Sequence, residues 1–210
     1  MRPARAPTRT LRPGLLALPG LALLASGVAM AREPAADWHS FVAQADQRRL
    51  HRWRDAWVAA LAGARAGGAG AAVAEQGALL QPDAALDDPA APDGAYRCRV
   101  VKLGSAAAAG LAYVAYPEFH CAIDQGRFTK LDGSQRPTGR LLPLDARRML
   151  FVGTLALGDE AQPIAYARDP DRDMIGVLER IGPRRWRLVF PYPRFESLLD
   201  VIELVPASSG

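Results

Sequence analysis

From Tyr96 onward the chain alternates apolar and polar residues with a period of two, in short runs broken by turn residues. The runs are 96–103 (YRCRVVKL), 111–116 (LAYVAY), 118–123, 126–131, 138–142, 148–157 (RMLFVGTLAL), 163–167, 173–181 (DMIGVLERI), 184–190 (RRWRLVF) and 198–205 (LLDVIELV). Gly104-Ser105, Asp124-Gln125-Gly126, Asp132-Gly133-Ser134, Gly158-Asp159 and Gly182-Pro183 supply the turns. Many short strands joined this way predict an antiparallel β-sandwich or a small β-barrel. The clearest hairpin is 173–181 with 184–190. In its second arm Trp186, Leu188 and Phe190 share one face, because successive side chains on a strand point to opposite sides. No internal repeat is evident.

A different period precedes this region. Leu50, Trp53, Trp57, Leu61 and Ala64 recur at helical spacing, so 46–66 is read as an amphipathic helix with Asp46 as its N-cap and Gly67-Gly68 as its stop. Its aromatic stripe is expected to pack on the rest of the domain; binding a partner is the alternative use. Residues 67–95 are rich in Ala, Gly and Pro and read as a wrapped connector, with a short helix near 71–77. The fold class expected is therefore α+β and mainly β: an N-terminal amphipathic helix packed on an antiparallel sandwich or barrel.

The first 31 residues set the compartment. Arg2, Arg5, Arg9 and Arg12 precede an apolar run from Leu15 to Ala31, which ends in Ala29-Met30-Ala31. A basic start, a short apolar stretch and a small-x-small site predict a cleavable secretory signal. The run is too short, and too broken by Pro19, Gly20 and Gly27, for a spanning helix of about 20 apolar residues. Cleavage would leave 210 less 31, or 179, residues: one exported domain over 32–206 and a tail over 207–210. It would also remove four of the 26 basic residues and no acidic one, leaving 22 against 22. The basic character of the whole chain thus belongs to the signal, and nucleic acid is not an expected partner. A periplasmic or secreted location follows, with no membrane span after cleavage.

Two cysteines, Cys98 and Cys121, are an even count in an oxidising compartment and suggest a disulfide. A simple hairpin of 96–103 with 111–123 would put Cys98 opposite residue 116, leaving Cys121 about 17 Å further along at strand rise. A bridge needs Cα atoms within about 7 Å, so it requires a bend, as at Pro117, or another strand pairing.

Longer strings carry a resemblance. YRCRVVKLG (96–104), FTKLDGSQRP (128–137), GTLALGDE (153–160) and DRDMIGVLERIGPRRWRLVFPYPRFESLLDVIELVP (171–206), with RRLHRWRDAW (48–57), resemble an exported bacterial family known as domain of unknown function 4893. The resemblance implies that the helix and the β-region form one unit. It implies no activity.

Chemistry-bearing patterns are few. The chain after residue 31 has only His39, His51 and His120, without His-Glu-x-x-His or Cys-x-x-Cys, so no metal centre is expected. Asp169-Pro170-Asp171-Arg172-Asp173 opens like a calcium loop, but Met174 and Arg180 stand where an EF-hand needs Gly and Glu, and the stretch reads as a polar turn. His120 and Cys121, adjacent on a strand, face opposite ways and form no dyad. Gly-x-Ser-x-Gly, a Walker sequence and a dinucleotide fingerprint are all absent, and no cofactor is expected. Glu179, Glu196, Asp200 and Glu203 read as the solvated faces of strands rather than as paired catalytic carboxylates.

The ligand-binding candidates fall in two groups. Lys130, Asp132, Ser134 and Arg136 share one loop and are residue types that hold phosphate or carboxylate. Trp186 and Tyr192 belong to the aromatic set of the β-region. An aromatic core is the first expectation for that set, and the lining of a site for a small apolar ligand the second. The function expected is a non-enzymatic periplasmic binding or protein-interaction module, with an unidentified small molecule or envelope protein as partner. A hydrolase working through the 130–136 loop and a structural envelope protein are the alternatives.

Overall fold

A computed structural model describes residues 1, 37–107, 110, 112–158 and 160–207. The signal-peptide reading of residues 1–31 lies outside them, Met1 apart. Nine strands form one antiparallel sheet: β1 (Gly94–Ser105), β2 (Tyr113–Ala115), β3 (Phe119–Asp124), β4 (Arg127–Lys130), β5 (Gln135–Pro143), β6 (Arg148–Leu157), β7 (Asp173–Gly182), β8 (Arg185–Pro191) and β9 (Ser197–Pro206). β2 and β3 share one edge of β1, and β3 to β9 follow as successive neighbours. The other edge of β1 pairs with β9 from Tyr96↔Pro206 to Ser105↔Ser197, which closes eight strands into a barrel. The sandwich alternative is thereby set aside. The run 163–167 is not a strand; Tyr166 instead reaches across to the helix, as described below.

Alternation divides the sheet into two cores. Inside the barrel lie Tyr96, Cys98, Cys121, Ile123, Phe128, Leu141, Phe151, Leu178, Trp186, Leu188, Phe190, Ile202 and Leu204. Phe151 meets Phe128 and Phe190 edge to face, with centroids at 6.1 and 5.2 Å. The outward residues of β1 and β6–β9, among them Val101, Leu150, Val152, Ile175, Val177, Val189 and Val201, form the second core with the helices. Strands covered on both faces need apolar residues at nearly every position, which is why β6 reads RMLFVGTLAL. β3, open to solvent outside, keeps a clean alternation.

The helical layer is α1 (Gln44–His51), α2 (Trp53–Ala64) and α3 (Gly70–Glu75), with a 3-10 turn at Gly77–Leu80. The predicted single helix is broken at Arg52, whose φ and ψ are −96° and 15°. Asp46 is not the cap. It lies inside the first turn of α1, buried, where it accepts from the Tyr166 hydroxyl at 2.6 Å and from Arg49 Nε at 3.0 Å. Gly68, at φ 85°, is a bend and not an end, and the helix resumes at Gly70. The Trp57 side chain and the row Ala56, Ala60, Ala64 are wholly buried on the barrel. Ala60 comes so close to β1 that a Cβ at Gly104 would sit 3.0 Å from its Cα.

Residues 77–82 bury Leu79 and Leu80 against the barrel, and one polar side chain fastens their backbone to it. Arg187, on the outward face of β8, donates to the carbonyls of Ala78, Leu79, Gln81 and Pro82 at 2.7–3.1 Å. Its Nε bonds Glu179 of β7 at 2.7 Å, and the guanidinium lies 4.9 Å from the centre of the Trp57 ring. Both charged side chains are sealed from solvent, at 0% and 1% exposure.

Cys98 and Cys121 form a disulfide inside the barrel, with Cα atoms 6.1 Å apart. The expected hairpin register was off by three residues. Cys98 partners Phe119 and Cys121 partners Tyr96, so the cysteines are diagonal neighbours on one inner face. The break between β2 and β3 around Pro117 makes this register possible.

Candidate ligand site at the barrel mouth

One end of the barrel is not filled. On four strands the inward row of side chains is apolar at mid-barrel and turns polar at this end. Lys102 follows Cys98 and Val100 on β1, Lys130 follows Phe128 on β4, Gln135 precedes Pro137 on β5, and Asp200 precedes Ile202 on β9. Between them is a cavity of about 60 Å³, whose apolar wall includes Val100, Leu155, Met174, Phe190 and Ile202. Asp171 to Asp173 and Pro193 to Phe195 form part of its rim.

The polar side chains are coupled. Lys102 and Asp200 are direct cross-strand partners. Lys102 Nζ donates to Glu196 Oε2 at 2.5 Å and to Gln135 Oε1 at 3.2 Å, and the Ser197 hydroxyl donates to Asp200 Oδ1. Burial pushes the Asp200 carboxyl up to about 6, even though Lys102 pulls it back. Burial alone would lower Lys102, but Asp200 and Glu196 outweigh it and hold this amine above its usual value. Lys130 differs. Burial, with Lys102 and Arg136 as like charges, brings it below the usual lysine value despite Asp132. Its ammonium lies 4.0 Å from the centre of the Phe119 ring, and among the described residues it has no salt bridge.

The loop over the mouth is held in an unusual shape. Tyr192 and Glu196 have φ of 45° and 68°, a region that disfavours residues with a Cβ. Tyr192 N–H to Leu198 O (2.9 Å), Ala106 N–H to Glu196 O (3.0 Å) and Arg49 to Tyr192 O (3.4 Å) fix it there. The effect is to turn the Glu196 carboxylate inward to Lys102.

A family model described as Domain of unknown function (DUF4893) matches residues 38–204, which takes in both helical layer and barrel. The chain belongs to this family. No curated protein and no solved structure matches it.

The six residues anticipated as a ligand site in this DUF4893 chain do not come together. Lys130 alone faces the mouth. Asp132 turns outward, accepting from His120 N–H at 3.0 Å and lying 2.8 Å from His120 Nδ1. The histidine bond holds its carboxyl below the usual range. Arg136 donates to the carbonyls of Gly133, Gly158 and Glu160 and so ties two loops together. No hydrogen bond joins Ser134 to the His120–Asp132 pair among the described residues. Trp186 lies inside the barrel toward its other end, edge-on to Tyr96 at 6.3 Å. Tyr192 is outside, under Arg52 at 4.5 Å.

Three of the four carboxylates read as solvated faces require correction, while Glu196 is exposed as expected. Glu179 is sealed under the helices with Arg187, and Glu203 binds Arg99 and Arg185. Asp200 points into the barrel, and Glu196 meets it at Lys102. The missed residues Lys102 and Asp200 carried a usable signal, since each has the parity of an apolar row.

Asp200 yields a test of this electrostatic picture. A carboxyl raised from 3.8 to about 6 favours folding when protonated, below about pH 4, and loses that contribution as pH rises through 6. Wild type should therefore lose stability relative to Asp200→Asn between pH 4 and 7, by about 3 kcal/mol. Urea unfolding of both proteins across that range measures it; parallel curves would refute it.

Proposed function

We propose that this DUF4893 protein is a non-enzymatic binding module, working outside the cytoplasm, that holds one end of a small amphipathic molecule in the mouth of its barrel. The observation that carries the reading is the change in the barrel interior along its length. Aromatic side chains pack the middle, while the mouth keeps a cavity where an apolar wall meets the Lys130 ammonium, which has no salt bridge among the described residues. Apolar walls with a few convergent polar groups are the usual composition of a small-molecule site. The cavity is small, at about 60 Å³, so it accepts an end of a ligand and not a whole one.

Export rests on the arginine-led apolar pattern of residues 1–31 and is in keeping with an internal disulfide, which persists best in an oxidising compartment. The hydrolase alternative would need Ser134 to engage the His120–Asp132 pair. A protein partner would have to use a surface other than Trp57, which the barrel covers.

Native mass spectrometry on protein purified from its own cell envelope is the test. A co-purifying small molecule, released on denaturation and lost in Met174→Trp, is the expected result. A bare chain, or a molecule retained in full by that variant, overturns the reading.

A further inference from the structure

Glu196 reaches the mouth from its solvent side and bonds Lys102 there as a ligand would. Asp200, the cross-strand partner of Lys102, already sets a negative charge near this ammonium, with no salt bridge between the two among the described residues. Glu196 is the carboxylate that bonds the ammonium, it is 58% exposed where Lys102 is 10% exposed, and its backbone is at φ 68°. The contact is thus an exposed acid reaching into a sheltered base from a backbone conformation that favours glycine. Were Glu196 to swing out, the inward groups Lys102, Lys130 and Asp200 would carry a net positive charge beside an apolar wall. Positive charge also continues outside. Arg49 and Arg194 line both this cavity and the adjoining cleft that holds Arg48 and Arg52.

We propose that the site takes an oxyanion borne on an apolar chain, and that this anion displaces the Glu196 carboxylate from Lys102, so that Glu196 acts as a tethered competitor. The inference rests on the binding reading above and names its ligand class. The oxyanion would accept from Lys102 and Lys130 while the first carbons of its chain lie against Leu155, Met174 and Phe190. An acid lacking the apolar chain would lose that wall, and an alcohol would lose the two ammonium groups.

The experiment titrates isotope-labelled mature protein with octanoate, octyl phosphate and 1-octanol, followed by amide chemical shifts. Octanoate should move the signals of Lys102, Glu196 and Asp200. Glu196→Gln should tighten octanoate binding roughly fivefold, as expected for removal of one part-exposed ion pair. The same change should leave 1-octanol binding unaltered. Comparison of octanoate with octyl phosphate decides between a carboxylate and a phosphate head. Octanoate binding that Glu196→Gln leaves unchanged or weakens, or an equal gain for 1-octanol, overturns the competitor role and leaves a binding module in place. Failure of all three probes at the mouth in both proteins overturns the binding reading as well.

Discussion

Arg187→Met should destabilise the protein by about 3–5 kcal/mol, the cost of leaving one partner of a buried ion pair alone. Glu179 would have to bury its charge alone or take up a proton, and burial already raises its carboxyl above the usual value. Four carbonyls between Ala78 and Pro82 would lose the guanidinium at the same time, with backbone donors remaining to Ala78 and Gln81. Residues 77–82 carry no regular strand pairing of their own, so they should detach first. The double variant Glu179→Leu with Arg187→Met should recover part of the loss, because it removes the orphaned charge but not the orphaned carbonyls. Urea unfolding followed by tryptophan fluorescence measures all three proteins. A loss below about 1 kcal/mol for Arg187→Met would contradict the role given to this side chain.

The second large effect is expected inside the barrel. Phe151→Ala should cost about 3–5 kcal/mol, since it removes the ring that joins Phe128 to Phe190. That ring fits only because the wall beneath it is glycine. A Cβ at Gly139 would lie 2.5 Å from the Phe151 ring, and one at Gly153 would lie 2.8 Å from it. At Gly153 the added atom would also stand 2.1 Å from the Thr138 carbonyl oxygen, which is backbone and cannot rotate away. Gly153→Ala should therefore cost about 1–3 kcal/mol by overpacking and loosen the β5–β6 seam. Thermal unfolding gives the stability, and hydrogen exchange at Thr138 to Leu141 reports the seam. A Gly153→Ala protein as stable as wild type would show that the two strands are not as close as this packing requires.

Much of this architecture is legible in the residues. Strand 148–157 was recovered to the residue, and 173–181, 184–190 and 198–205 to within one at each end, because their apolar runs are bounded by strong turn signals. The false strand at 163–167 arose because Tyr166 supplies an apolar ring at the right spacing, whereas its hydroxyl is what matters, bonded to Asp46. The candidate site was harder to see. A turn containing Lys130, Asp132, Ser134 and Arg136 looks like one cluster in sequence, yet alternation sends Lys130 inward while Asp132 and Arg136 are taken up by His120 and by loop carbonyls. Lys102 and Glu196 are 94 residues apart and meet only across the β1–β9 side of the barrel.

The order of residues is enough to specify the elements: the helical stretch ahead of the barrel, the period-two strands, the turn positions, and which side chains of a strand share a face. These are local properties, set by backbone geometry and by the spacing of apolar residues. Tertiary structure alone decided which face is inner, that β1 closes on β9, and that Cys98 meets Cys121 diagonally. It also decided that an arginine and a glutamate on strands belong under the helices. Strand pairing depends on which distant edges find each other and on the fit of side chains between them. A period of two is satisfied equally by a sandwich and a barrel.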